Sequence, residues 1–303
     1  MPTLPTRQLG RTGLQVTTLG FGAMELRGGR GRSVSDADAE RTLNTVLDAG
    51  INYVDTSPDY GLSEERIGKF ISQRRSEYFL ASKCGCPVGV EPGADGRLPH
   101  VFTAENVIAG VEQSLRRLQT DYLDLVQFHH SPSRAQLEEN GGLAALQELQ
   151  RQGKVRFIGM SGTLPNLPEQ LELGVFDVFQ IPYSLLQRDH EMIIGQVAAA
   201  DAGVVMRGGV ARGGPARESG EFWDLWQQAE IDDLRGDMSR TEFVLRFTLS
   251  NPDLDTTIVG TSNADHVLEN VNTLLKGPLP ADLLAEGRRR TAPTGPATGS
   301  RVG

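Results

Sequence analysis

Eight short apolar runs, each followed by a loop and a helix-patterned segment, recur from Val16 to Lys276, and they restrict the fold more than any other feature. The runs are VTTLGFG, NYVD, FLASK, LDLVQF, VRFIGMS, VFQIP, GVVMR and TTIVG, all rich in Val, Ile, Leu or Phe. Between them, apolar residues return at three- and four-residue steps: Leu43, Val46 and Leu47; Val107, Ile108, Val111, Leu115 and Leu118; Leu143, Leu146 and Leu149. A helix with such a face packs on a sheet. Strands without polar alternation, separated by helices, imply a parallel sheet covered on both sides. Eight units in 303 residues predict an α/β protein, a (β/α)₈ TIM barrel in one domain over residues 1–290. An open doubly wound sheet is the alternative.

Ahead of the first unit, RQLGRTGLQVTTLG reads as a hairpin turning at Gly10–Gly13, placed to plug the bottom of the barrel. The tail, residues 291–303, is rich in Pro, Gly, Thr and Ala and predicts disorder. Three long connections, Leu26–Ser35, Gly85–Thr103 and Arg207–Gly220, each follow a strand. They therefore crowd the C-terminal face, where barrel enzymes carry their sites.

Charge narrows the partners. Lys and Arg total 30 against 39 Asp and Glu, a net charge of -9, which argues against a nucleic acid or an anionic membrane. The basic run GRRR at 287–290 reads as a solvated helix end. The start lacks an apolar signal-peptide core, and no apolar run is long enough to span a bilayer. Cys84 and Cys86, one residue apart, are poorly placed for a disulfide and have no His or Cys neighbours in sequence to complete a zinc site. Reduced thiols in a cytoplasmic protein are the expectation.

Ionisable residues end three consecutive strands. Asp55 closes the second, with Tyr60 in the turn behind it; Lys83 closes the third and His129 the fourth. Taken singly, Asp55 is a turn cap, and Lys83 or His129 is a rim charge or a satisfied core group. Adjacent strand ends in a barrel bring all four into one small volume, and together they suit proton transfer to a carbonyl or alkoxide oxygen. An ammonium beside a phenol lowers its pKa, a carboxylate keeps that ammonium charged, and an imidazole can hold the substrate oxygen. These groups move protons but supply no hydride, so a redox reaction needs a cofactor. Asp59 reads as a solvated turn residue. Lys83 as a Schiff-base lysine in a barrel lyase or aldolase is a second reading.

The stretch GINYVDTSPDYGLSEERIG, the Lys of FLASKCG, the His of DYLDLVQFHH, then GMSG and GTSNADHVLEN, occur in the order seen in aldo-keto reductases. The chain resembles that family from Arg7 to Lys276. The resemblance implies the barrel fold and reduction of carbonyls, or oxidation of alcohols, with a nicotinamide cofactor and a small-molecule substrate. It implies Tyr60 as general acid, Lys83 and Asp55 as its tuners, and His129 as the donor that orients substrate. His130 then stands where a Trp or another residue often lines the substrate pocket. A few relatives keep the cofactor site yet serve as redox-sensing subunits, a third reading.

No GxGxxG opens a helix after a strand, which fits a family whose cofactor lies extended across the barrel top. The resemblance implies that Ser161 and Gln180 hold the carboxamide, with Gly162 where Asn is frequent. Arg207 falls where relatives stack a ring on the nicotinamide; a rim ion pair is its plain alternative. Gly208 and Gly209, with Gly213 and Gly214, let backbone N–H groups approach a pyrophosphate. Gly260, Thr261, Ser262 and His266 match the region that grips the adenosine and its 2′-phosphate, and Glu269 and Asn270 match the adenine-contacting pair. His266 replaces a common Arg and Gly260 a Lys found in some relatives. NADP(H) is expected ahead of NAD(H), against a capped final helix with no ligand. Substrate choice falls to the long loops and to Met24, Trp223 and Trp226, of which the two tryptophans suit core packing equally well.

Overall fold

The computed structural model describes residues 3–28, 34–90 and 99–292. The chain enters through two antiparallel strands, β1 (Thr6–Gln8) and β2 (Gln15–Thr17), in the register Thr6 to Thr17. Eight parallel strands then close a barrel: β3 (Leu19–Gly22), β4 (Tyr53–Asp55), β5 (Phe79–Cys84), β6 (Leu123–Phe128), β7 (Val155–Ser161), β8 (Val178–Pro182), β9 (Gly203–Arg207) and β10 (Thr256–Val259). Strand β10 pairs with both β9 and β3, which completes the ring. The outer layer follows in chain order: α1 (Asp36–Asp48), α2 (Ser63–Ile71), α3 (Ala104–Leu118), α4 (Arg134–Glu139), α5 (Gly142–Arg151), α6 (Leu167–Glu172) and α7 (Glu191–Ala199). After β9 come α8 (Gly214–Arg217), α9 (Glu221–Gln228) and α10 (Arg240–Leu249), and after β10 come α11 (Ala264–Leu275) and α12 (Ala281–Arg290).

All eight expected strands form, with one division. VTTLGFG is not a single strand: Val16 and Thr17 belong to β2, and β3 starts at Leu19. The chain changes pairing partner at Thr18, whose N–H donates to the Pro5 carbonyl at 3.0 Å, because β2 pairs within the hairpin and β3 pairs within the barrel. The hairpin does plug the bottom. Leu9, Leu14 and Val16 cluster with Tyr53, Ala81, Leu125, Val178 and Val205 from the strands. Gly10 is what permits this approach: its φ is +45°, and a Cβ there would stand 2.2 Å from the Gly203 nitrogen. The Asp255 carboxylate ties hairpin to barrel, accepting from Gly10 N–H at 3.1 Å and from Val204 N–H at 2.9 Å.

The helices bury most of the stripes that their spacing predicts, although Leu143 is only half-buried and Ile108 stands apart. Thr103 caps α3, which buries Val107, Val111, Leu115 and Leu118, but Ile108 stands 42% exposed. It lies at the edge of the stripe, beyond the arc that the sheet covers. Trp226 is core, edge-on to Phe243, and Trp223 is half-buried under the Arg240 guanidinium at 4.7 Å. The basic run closes α12 in ion pairs: Arg289 and Arg290 meet Glu286, and Arg288 meets Glu191. Most of the predicted tail, residues 293–303, lies outside the described residues.

Candidate active site

Side chains of a strand alternate between inside and outside, so residues two apart share a face. Tyr53 and Ala81 belong to the lower inner cluster, and two positions further on Asp55 and Lys83 reach the upper barrel interior. On β6 the same step leads from Leu125 to Gln127 and then to His129, just past the strand end. Asp55 is the hub. Its Oδ1 accepts from Lys83 Nζ at 2.7 Å, and its Oδ2 from Gln127 Nε2 at 3.1 Å and Gln180 Nε2 at 2.8 Å. Lys83 also donates to the Thr56 carbonyl at 2.7 Å. Tyr60 arrives from the turn after β4, where its N–H donates to the Ser57 carbonyl at 3.1 Å. Its ring centre lies 5.2 Å from Lys83 Nζ and 6.1 Å, edge-on, from the His129 ring. The four expected catalytic residues therefore converge.

Their electrostatics differ from the sequence expectation at one point. Burial raises the Tyr60 pKa; Lys83 and Arg207 pull it down, yet the shift stays upward. Lys83 acts with the expected sign, but loss of solvent outweighs it. Tyr60 is thus a protonated phenol at neutral pH. Burial works against the Lys83 ammonium, but the Asp55 carboxylate favours it by charge and by hydrogen bond, and its pKa ends above the ordinary lysine value. Burial, with Lys83 nearby, holds the His129 pKa well below the usual histidine range, so its imidazole is neutral.

Ser161 donates to Gln180 Oε1 at 3.2 Å, so the two side chains expected to hold the carboxamide are joined on β7 and β8. Gly162 has no room to be larger: a Cβ would meet Leu167 Cδ2 at 2.7 Å and Gln170 Oε1 at 2.9 Å. Arg207, at the end of β9, carries a buried Nε without a hydrogen-bond partner, and the rim ion pair expected as its alternative is not formed among the described residues. Gly208 follows with φ +75°, and a Cβ on Gly209 would stand 2.3 Å from Thr257 Oγ1. Gly260 is equally confined, 2.7 Å from the Gly22 carbonyl oxygen by the same measure.

At the start of α11, Asn263 caps the helix through Asp265 N–H, and Thr261 Oγ1 accepts from Asn263 N–H at 3.0 Å. The exposed His266 turns its Nδ1 to 3.3 Å from Thr261 Oγ1, and the Ser262 carbonyl accepts from Thr42. Glu269 is exposed and Asn270 buried. A linked serine and glutamine, a guanidinium with an unused donor and a helix N-terminus on one rim are groups that fit a nicotinamide dinucleotide.

Sequence reasoning missed Gln127, His100 and the second face of Asp59. Alternation along β6 was a usable signal for Gln127, since it shares the face of Leu125 and His129. Asp59 is more than a solvated turn residue: its carboxylate accepts from Ser57 Oγ and lies 3.5 Å from His129 Nδ1 and 3.9 Å from His100 Nε2. Nor is Cys86 far from histidine. Its Sγ is 3.5 Å from His129 Nδ1 and 3.6 Å from His100 Nε2, because residues 99–102 return beside the end of β5, where Val101 N–H donates to the Gly85 carbonyl at 2.8 Å. No sequence spacing announces that return.

Known proteins share this fold. The aldo/keto reductase family model matches residues 18–221. L-galactose dehydrogenase of Arabidopsis thaliana is 32% identical over 293 residues, covering 89% of this chain and 88% of its own. D-threo-aldose 1-dehydrogenase of a Pseudomonas species is 26% identical, covering 93% of this chain and 96% of its own. An aldo-keto reductase from Bacillus halodurans, solved in its holo form, is similar with a TM-score of 0.83 and 30% identity over 95% of this chain and 96% of its own. With the match spanning most of the barrel and the fold following throughout, the chain belongs to the aldo/keto reductase family.

Proposed function

We propose that this oxidoreductase transfers a hydride between NADP(H), in preference to NAD(H), and an aldehyde or ketone or the corresponding alcohol, with Tyr60 as general acid and base. The observation that carries the reading is the buried Lys83–Asp55 ion pair beside the Tyr60 ring, with neutral His129 edge-on to the same ring. Ser161, Gln180 and Arg207 would hold the cofactor, which would supply or accept the hydride. Tyr60 gives its phenolic proton to the substrate oxygen in reduction and recovers it in oxidation. Charge that develops on Tyr60 faces the ammonium of Lys83 and the guanidinium of Arg207. With Nδ1 of His129 turned towards Asp59 and His100, Nε2 is left to hold the substrate oxygen in line. Gly208 and Gly209 suit a pyrophosphate, Glu269 and Asn270 the adenine, and Thr261, Ser262 and His266 with the helix N-terminus a 2′-phosphate.

A buried Lys83 held in its ammonium form speaks against the lyase reading, since a Schiff base needs the free amine. The complete tetrad speaks against a purely regulatory subunit. Two relatives are named for sugar oxidation, L-galactose dehydrogenase and D-threo-aldose 1-dehydrogenase, which brings aldoses into the substrate panel. The free thiols Cys84 and Cys86 support a cytoplasmic location.

The test is fluorescence titration with NADPH and NADH, followed by nicotinamide absorbance with aldehydes, ketones and aldoses. Tyr60→Phe is expected to lower kcat by at least about 100-fold and to leave cofactor affinity nearly unchanged. Near-normal turnover in that variant would overturn the assignment.

A further inference from the structure

Four potential ligand atoms converge on the rim beside the proton-transfer site, one each from Asp59, His100, His129 and His130, all within 4.8 Å of one another. His100 Nε2 and His129 Nδ1 are 3.1 Å apart, and Asp59 Oδ2 is 3.5 Å from the second and 3.9 Å from the first. A zinc ion bound tetrahedrally at about 2.0–2.1 Å spaces its nitrogen and oxygen ligands by about 3.3 Å. A thiolate ligand would stand about 3.6 Å from such nitrogens, and Cys86 Sγ lies at 3.5 and 3.6 Å from the two imidazoles.

The His130 ring packs 4.0 Å from that of His100, on a backbone where His130 and Ser131 both take left-handed φ values, 61° and 53°. Two consecutive non-glycine residues in that region store strain of about 1–3 kcal/mol each, and here the strained turn carries a third imidazole to the other two. His130 is exposed, and its ring centre also lies 4.5 Å from that of His129.

We propose that Asp59, His100, His129 and His130 form a binding site for a divalent transition-metal cation of the zinc class, with Cys86 as a reserve sulfur donor. The ligand set is chemically selective: imidazole with one carboxylate suits zinc and its neighbours, and hard cations such as magnesium prefer all-oxygen cages. His129 joins this site to the catalytic one. A metal on Nδ1 uses that lone pair, so the ring proton of the neutral imidazole sits on Nε2, the nitrogen that holds the substrate oxygen. Metal occupancy thus sets the tautomer of the residue that orients the substrate.

The test uses the full-length chain without an affinity tag, stripped with a chelator and dialysed against Zn²⁺ or Co²⁺. Wild type is expected to take up one ion per chain, with Co²⁺ giving the visible absorption of a low-coordinate nitrogen and oxygen site. His100→Ala and Asp59→Asn are each expected to weaken binding by at least about tenfold, and His266→Ala, at an exposed position on α11, to leave metal uptake unchanged. Should His100→Ala fold poorly, the exposed His130→Gln gives the same comparison. No uptake by wild type, or equal losses in His100→Ala and His266→Ala, would overturn the proposal. Uptake is read without turnover, so its failure leaves the hydride-transfer reading untouched.

Discussion

Replacing Lys83 with Met separates two roles that one buried ion pair could play. Lys83 and Asp55 are both about 1% exposed and joined at 2.7 Å. Removing one partner of such a pair leaves a buried charge uncompensated and costs about 3–5 kcal/mol, which in a chain of this size lowers Tm by roughly 5–10 °C. The rate effect follows from a different distance. Nζ lies 5.2 Å from the Tyr60 ring centre, and unit charges at that separation attract by about 3 kcal/mol at an effective dielectric constant of about 20. Loss of that attraction as charge grows on Tyr60 slows turnover roughly 100- to 300-fold. Steady-state kcat and thermal unfolding on one preparation read both quantities. A variant with kcat within about threefold of wild type and the expected loss in Tm would reduce Lys83 to a structural counter-ion. An unchanged Tm would contradict its burial.

Two further variants probe positions where geometry is tight. Burial lifts the Asp255 pKa to about 6, against about 3.9 in an unfolded chain, so between those values the folded state binds more protons and stability falls as pH rises. Full burial would make this nearly 3 kcal/mol; Asp255 is partly exposed, and about 1–2 kcal/mol is expected after solvent screening. Asp255→Asn keeps an acceptor for Gly10 and Val204, so in denaturant titrations it should gain that amount on wild type between acid and neutral pH; a constant difference would refute the reading. Gly162→Asn would press a Cβ to 2.7 Å from Leu167 Cδ2, and urea unfolding should show a loss of about 1–3 kcal/mol with no gain in cofactor affinity. Tighter NADPH binding in a stable Gly162→Asn protein would show that the position has room.

The barrel was legible because its signal is local and repeated. Each apolar run and each helical stripe reports its own burial, and eight of them in alternation leave few architectures. Ile108 shows the limit of that signal, since periodicity marks a face but not the arc its neighbours cover. The split at Thr18 shows another: an extended run looks the same whichever strand it pairs with.

Asp55, Tyr60, Lys83 and His129 were legible as a site because strand order in a parallel barrel follows chain order, so consecutive strand ends are neighbours in space. Sequence alone determined the strands, the helices and which strand ends carry ionisable groups, all properties of short segments. Only the tertiary structure decided that burial outweighs Lys83 in setting the Tyr60 proton, that Asp59 turns inward, and that His100 and Cys86 meet His129. Those outcomes depend on the return of residues 99–102 to the end of β5 and on how much solvent packing removes. Neither quantity is a function of spacing along the chain.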